Sequence, residues 1–222
     1  ADGVTGQIFY DSIGLIFAGR PEAAAQCAKI VSGVMDGGEG MIGGMFICAC
    51  ISAAFIYSDI RQVVETALSL IPKESEYAEM VRYVTALYDS EPKNYNKALH
   101  YIEDKYREYY ACDCGARVVL ALLYGEGNFD YTMELCLFAG HDTDCNCGNA
   151  GSIVGALAGT EHINYENWIR KFNDVIYCSS AVPCENEVDI TRYTAKLMLL
   201  YAKFNNCEVP EYIRKAADEN SY

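Results

Sequence analysis

Positive charge is scarce in this sequence: 17 Lys and Arg stand against 31 Asp and Glu, for a formal net charge of −14. A protein that grips a phosphate backbone uses a Lys/Arg surface to displace counterions, so nucleic acid is not expected as a partner. Also missing is any run of about 18 uncharged apolar residues, and no membrane-spanning helix is expected. The nearest approach, Met41–Tyr57 (MIGGMFICACISAAFIY), is short, opens on glycines and reads as a core helix. Few segments alternate apolar and polar residues for long enough to form a strand, so no sheet is expected. Internal repeats and low-complexity linkers are lacking. The opening ADGVTGQIFYDS has neither a basic region nor an initiating Met. No signal peptide is therefore expected, and this opening resembles a cut end more than a natural start.

What is present is a 222-residue chain that is 51% hydrophobic, long enough for a sizeable core. Its eleven cysteines are an odd number. Cys27, Cys48, Cys50 and Cys136 fall inside apolar helical patterns, where a thiol behaves as a small hydrophobe. Reduced thiols and a cytoplasmic location are expected rather than a disulfide framework. Helical periodicity covers Glu22–Met35 behind Pro21, Met41–Tyr57, Ile60–Ile71, Ser75–Tyr88, Asn96–Tyr109, Gly115–Tyr124 and Asp130–Phe138. It resumes over Asp144–Ala158, Tyr165–Asn173, Asp189–Lys203 and Pro210–Ala217, with Tyr177–Glu187 as the longest irregular stretch. The expectation is one all-α domain over residues 1–222.

Chemistry concentrates at Gly140–Gly159, GHDTDCNCGNAGSIVGALAG. Asp142 and Asp144 lie two residues apart between a glycine turn and a helix, and their carboxylates can converge on one point. Hard oxygen ligands of this kind select Mg²⁺, Mn²⁺ or Ca²⁺. The competing reading makes Asp142, Thr143 or Asp144 an ordinary helix cap. Glycines at 148, 151, 155 and 159, with Ser152, give the helix a small-residue face open to close approach. His141, beside the acidic pair, is a candidate base or substrate contact, or else a turn residue lining a cleft. His100 and His162 have no Ser or Cys elbow near them, so a catalytic triad has no support. Cys112, Cys114, Cys145 and Cys147 form a conceivable zinc set whose C-x-C spacing strains chelation. Cys178 and Cys184 are a weaker candidate redox pair.

The same stretch is similar to the C-terminal metal motif of the ADP-ribosylglycohydrolase family, G-x-D-T-D-T/C-x followed by G-x-x-x-G-A-x-x-G. LYGEGNF at Leu123–Phe129 resembles the segment leading into it, and Gly3–Phe46 resembles the family's glycine loop, its Pro/Glu-Ala-Ala helix and the next loop and helix. The resemblance runs over roughly Gly3–Ser180. It implies a compact orthogonal multi-helix bundle with two central Mg²⁺ ions that hydrolyses the glycosidic bond of ADP-ribose or an ADP-ribosylated substrate. Asp142 and Asp144 then match catalytic, metal-bridging carboxylates, Cys145 occupies a ligand position, and the Gly3–Gly6 loop approaches the nucleotide.

Three departures accompany the likeness. The family's D-D-T-type ligands precede the region matching Gly3, so an N-terminally truncated bundle with at most a partial Mg²⁺ site is expected. Asp36 stands where many members carry His, and Gly44 where Glu is common. The alternative expectation is an inactive binding or assembly protein, paired with itself or with a missing N-terminal segment.

Overall fold

The computed structural model describes residues 3–107, 110–177 and 187–218. The chain divides into two compact units, Ala1–Ile163 and Asn164–Tyr222, with no linker-like composition at the boundary. The first unit is wholly helical: α1 (Thr5–Ile8), α2 (Asp11–Ile16), α3 (Pro21–Met35), α4 (Gly38–Ala53), α5 (Ile60–Ser69), α6 (Glu76–Ser90), α7 (Tyr95–Tyr106), α8 (Tyr110–Gly125), α9 (Phe129–Ala139) and α10 (Thr143–Ala158). Their starts follow local chemistry. Pro21 opens α3, where its missing N–H has no helical partner to lose. Asp59, Ser75, Asn94 and Asn128 accept hydrogen bonds from the first-turn amides of α5, α6, α7 and α9.

Two helices form the middle of this unit. Every residue of α8 from Ala111 to Gly125 is buried, as is α4 from Ile42 to Ala53. Helices without a polar face pack on all sides. Their core includes Phe46, Ile47, Ile51, Tyr77, Met80, Leu120, Leu122 and Ile153. The helix expected from Met41 starts three residues earlier, taking in Gly38 and Gly40. A Cβ on Gly44 would overlap the Gly6 carbonyl oxygen and the Ser32 hydroxyl, and one on Gly40 would overlap the Gly3 carbonyl oxygen. Glycine is required there because the backbone of the N-terminal segment lies directly against α4. That segment, expected as a loop, forms the short helices α1 and α2.

In the second unit, Asn164 caps a π-helical turn, Tyr165–Ile169, which runs into a 3₁₀ turn, Arg170–Phe172. Left-handed Asn173 and Asp174 end it, where one regular helix was expected. A two-stranded antiparallel sheet follows, β1 (Val175–Tyr177) with β2 (Glu187–Asp189), Val175 opposite Asp189. It corrects the expectation of no sheet; strands of three residues are too short to leave a period-2 signature. Asp189 then caps α11 (Ile190–Asn205), which packs on α12 (Glu211–Asp218) around Ala195, Ile213 and Ala217. Cys178 and Cys184 lie outside the described residues.

Gly44→Ala is expected to destabilise the protein by about 1–3 kcal/mol in urea denaturation, through forced displacement of α1. Gly148→Ala, where a Cβ meets nothing within 4 Å, should instead gain up to about 1 kcal/mol from helix propensity. Equal midpoints for the two variants would contradict the close α1–α4 packing.

Candidate metal centre

The chain turns between α9 and α10 through two residues of positive φ, Gly140 at 72° and His141 at 63°. Gly140 has ψ −151°, a combination open essentially to glycine alone. Thr143 N–H returns to the His141 carbonyl at 2.9 Å, and the Thr143 hydroxyl donates to the same oxygen at 3.3 Å. Asp142 occupies the cap position of α10, yet its side chain makes no capping hydrogen bond. Its carboxylate is therefore left for other chemistry. Ligand atoms of Asp142, Asp144 and Cys145 lie within 4.8 Å of one another. Asp142 and Cys145 are half-buried and Asp144 is exposed. Both carboxylates sit at the N-terminal end of α10.

The donor set suits a hard divalent ion through its two carboxylates. Cys145 fits less well. Burial, and then the charges of Asp142 and Asp144, push its thiol up to about 11, so it stays protonated at neutral pH and is a poor ligand for such an ion. Asn146 follows in the chain and lies one helical turn beyond Asp142 on the same face. It is fully buried, and neither amide atom has a hydrogen-bond partner.

Support comes from α8. Asp113, 1% exposed, accepts from Arg117 Nε at 3.1 Å through Oδ1. Its Oδ2 lies 3.0 Å from His141 Nδ1. Arg117 also donates to the Ala139 carbonyl at the end of α9 and stands 3.8 Å from Glu103. One buried cation thus ties α8 to the last residue of α9, just before the turn. The Tyr110 ring packs on His141 with centroids 5.2 Å apart. Cys114 Sγ is 4.0 Å from Asp142 Oδ2, and burial drives its thiol well above the usual range.

Two turns into α10, Asn149 Nδ2 donates to Asp11 at 2.8 Å, and Gln7 Nε2 donates to Asn149 Oδ1 at 3.2 Å. Tyr77 completes the chain with a hydroxyl donated to Gln7 Oε1 at 2.9 Å. Burial raises the Asp11 carboxyl, against the opposing hydrogen bonds of Ser152 and Asn149. This buried polar chain joins α1, α2 and α6 to the helix that carries the carboxylates.

The ADP-ribosylglycohydrolase family model matches residues 7–202. The chain belongs to the ADP-ribosylglycohydrolase family. No curated protein and no solved structure matches it. The family match continues past Ser180, where the sequence resemblance was expected to end, into α11.

Among the residues expected from the ADP-ribosylglycohydrolase motifs, Asp142, Asp144 and Cys145 come together and His141 adjoins them. Gly3 and Gly6 lie against Asp36. The Gly6 amide donates to Asp36 Oδ2 at 2.7 Å, and the Gly6 carbonyl accepts from Ser32 at 3.0 Å. Asp36, which departs from the family's usual His, therefore closes the glycine segment onto the α3–α4 turn. The four-cysteine zinc set does not assemble: among the described residues, only Cys145 of the four joins a metal-capable cluster. Cys147 instead packs against the main apolar core. The sequence reading missed Asp113 and Arg117. Their signal was an Asp and an Arg at i and i+4 inside the otherwise apolar ACDCGARVVLALLYG.

Arg117→Met should leave the Asp113 carboxylate buried without its cation and cost about 3–5 kcal/mol in chemical denaturation. A loss under about 1 kcal/mol, the range of an exposed pair, would show that this pair does not brace the turn.

Proposed function

We propose that this chain is a hydrolase of the glycosidic bond to ADP-ribose, with a divalent ion, Mg²⁺, held by the carboxylates of Asp142 and Asp144. The observation carrying the proposal is the convergence of those carboxylates at the start of α10, Asp142 being free of the capping role its position offers. When bound, the ion supplies Lewis-acid orientation of ribose hydroxyls and of water. Cys145, as a neutral thiol, would adjoin such an ion without neutralising its charge. His141, whose Nδ1 lies 3.0 Å from Asp113 Oδ2, stands beside the carboxylates as a candidate contact for a substrate hydroxyl or water. A surface of net charge −14 repels a diphosphate, so attraction has to be local, from the ion and the N-terminal end of α10. The free cysteines suit a reducing compartment such as the cytoplasm.

Isothermal titration of the full chain with ADP-ribose, in Mg²⁺ and in chelator, checks this reading. Binding is expected only with Mg²⁺, and Asp142→Ala should weaken it by at least about tenfold, the worth of one charge-assisted ligand contact. Binding indifferent to Asp142→Ala would refute the assignment.

A second reading, a binding or assembly protein, is favoured by the outer face of α3. Ile30 and Val34, one turn apart, are 73% and 80% exposed, and Phe9 is 63% exposed. Apolar surface of this kind favours association. On this reading, light scattering returns a mass above that of one chain; a stable monomer at micromolar concentration would retire it.

A further inference from the structure

The edge of His141 that faces α8 meets more groups than a turn residue needs. His141 has φ 63°, a left-handed backbone uncommon for a residue with a Cβ, and its side chain is 33% exposed. Its Nδ1 lies 3.0 Å from Asp113 Oδ2 and 3.8 Å from Cys114 Sγ, and the Tyr110 ring packs against it. Asp113 Oδ1 is taken by Arg117 Nε at 3.1 Å. Asp113 Oδ2 is buried and has no aligned hydrogen-bond donor. A buried oxygen in that state costs free energy until a donor meets it, and the ring nitrogen already stands at hydrogen-bond distance. A carboxylate paired with a guanidinium accepts hydrogen bonds and donates none. A proton on Nδ1 turns the 3.0 Å approach into a hydrogen bond after a small ring rotation. A lone pair on Nδ1 would instead face the carboxylate oxygen and be repelled by it. Cys114 Sγ, farther away and a weak donor, does not outweigh that contact.

We propose that Asp113 is a positioning residue for His141. It holds the ring in the Nδ1–H tautomer and leaves Nε2, on the opposite edge, as an acceptor for a hydroxyl of ADP-ribose at the Asp142–Asp144 loop. The tautomer and the ring orientation follow from the α8 contacts alone; the identity of the hydroxyl rests on the hydrolase reading above. A neutral imidazole carries one N–H and one lone pair, so fixing the proton on one nitrogen makes the other the acceptor. Arg117 takes part by holding Asp113 Oδ1, which keeps Oδ2 turned to the ring. Asp113 touches no substrate in this arrangement and acts through His141.

Long-range ¹H–¹⁵N correlation of the ¹⁵N-labelled full chain reads the tautomer directly. The chain has three histidines, so His141→Phe assigns the His141 signals by their loss. At a pH of about 9, well above the ordinary imidazole value, His141 is expected to show a protonated Nδ1 and an unprotonated Nε2. In Asp113→Asn, Arg117 still takes the side-chain oxygen, so the amide NH₂ faces the ring and the pattern should reverse to Nε2–H. If circular dichroism shows that this variant does not fold, the wild-type spectrum decides alone. Calorimetry supplies the second readout. In Mg²⁺, His141→Phe and Asp113→Asn should each weaken ADP-ribose binding by about tenfold, the worth of one hydrogen bond, and leave Mg²⁺ affinity unchanged. An Nε2–H tautomer in the wild type, or one tautomer shared by wild type and Asp113→Asn, overturns the proposal and leaves the hydrolase reading standing. ADP-ribose binding indifferent to His141→Phe removes the role given to Nε2. No ADP-ribose binding by the wild type in Mg²⁺ overturns the hydrolase reading and the hydroxyl assigned to Nε2, while the spectrum still decides the tautomer.

Discussion

Helix α4 offers water no polar face, and the first unit is arranged around that fact. A helix apolar all round has to be enclosed, and α1, α2, α3, α5, α6, α8 and α10 each meet it. Its glycines weaken it as an isolated helix by about 1 kcal/mol each relative to alanine. They also let backbone of the N-terminal segment replace side chains as its packing partner. The result extends to the carboxylates. Because α1 is pressed onto α4, Gln7 is fixed where it meets Asn149, and α10 is held in turn. A constraint on burial in one helix thereby sets the position of another helix whose own sequence is poor in large apolar side chains.

The surroundings of the carboxylate loop are built from few charges used more than once. Arg117 neutralises Asp113, holds the last carbonyl of α9 and stands near Glu103. Asp113 in turn meets His141. Buried ion pairs seldom add much stability over an apolar pair of equal volume, whereas removing one member is costly. What such a network gives is a single arrangement of the turn. The neighbouring thiols are held protonated, Cys114 by burial and Cys145 by burial and the adjacent carboxylates, so they add no further negative charge.

How far the sequence could be read depended on the range of the signal. Helices with long apolar periodicity, such as α3, α6 and α9, were legible within a few residues, as were the carboxylates and Cys145, because their motif is contiguous. The start of α8 was not, since its polar pair Asp113 and Arg117 interrupts the apolar run and only burial reveals them as internal. The helices α1 and α2 were missed because four to six residues carry no period and their glycines read as loop. Gly3 and Gly6 were legible as a backbone-approach site, but the group that approaches Gly6 in the structure is Asp36.

The position of Asp142 and Asp144 in the opening turn of α10 bears on how one short loop carries two like charges. No lysine or arginine occurs between Gly140 and Gly159, so neutralisation cannot come from a neighbouring side chain of that stretch. The unpaired amides of the opening turn offset part of the carboxylate charge instead. Backbone polarity there takes the part that a basic residue plays on most protein surfaces.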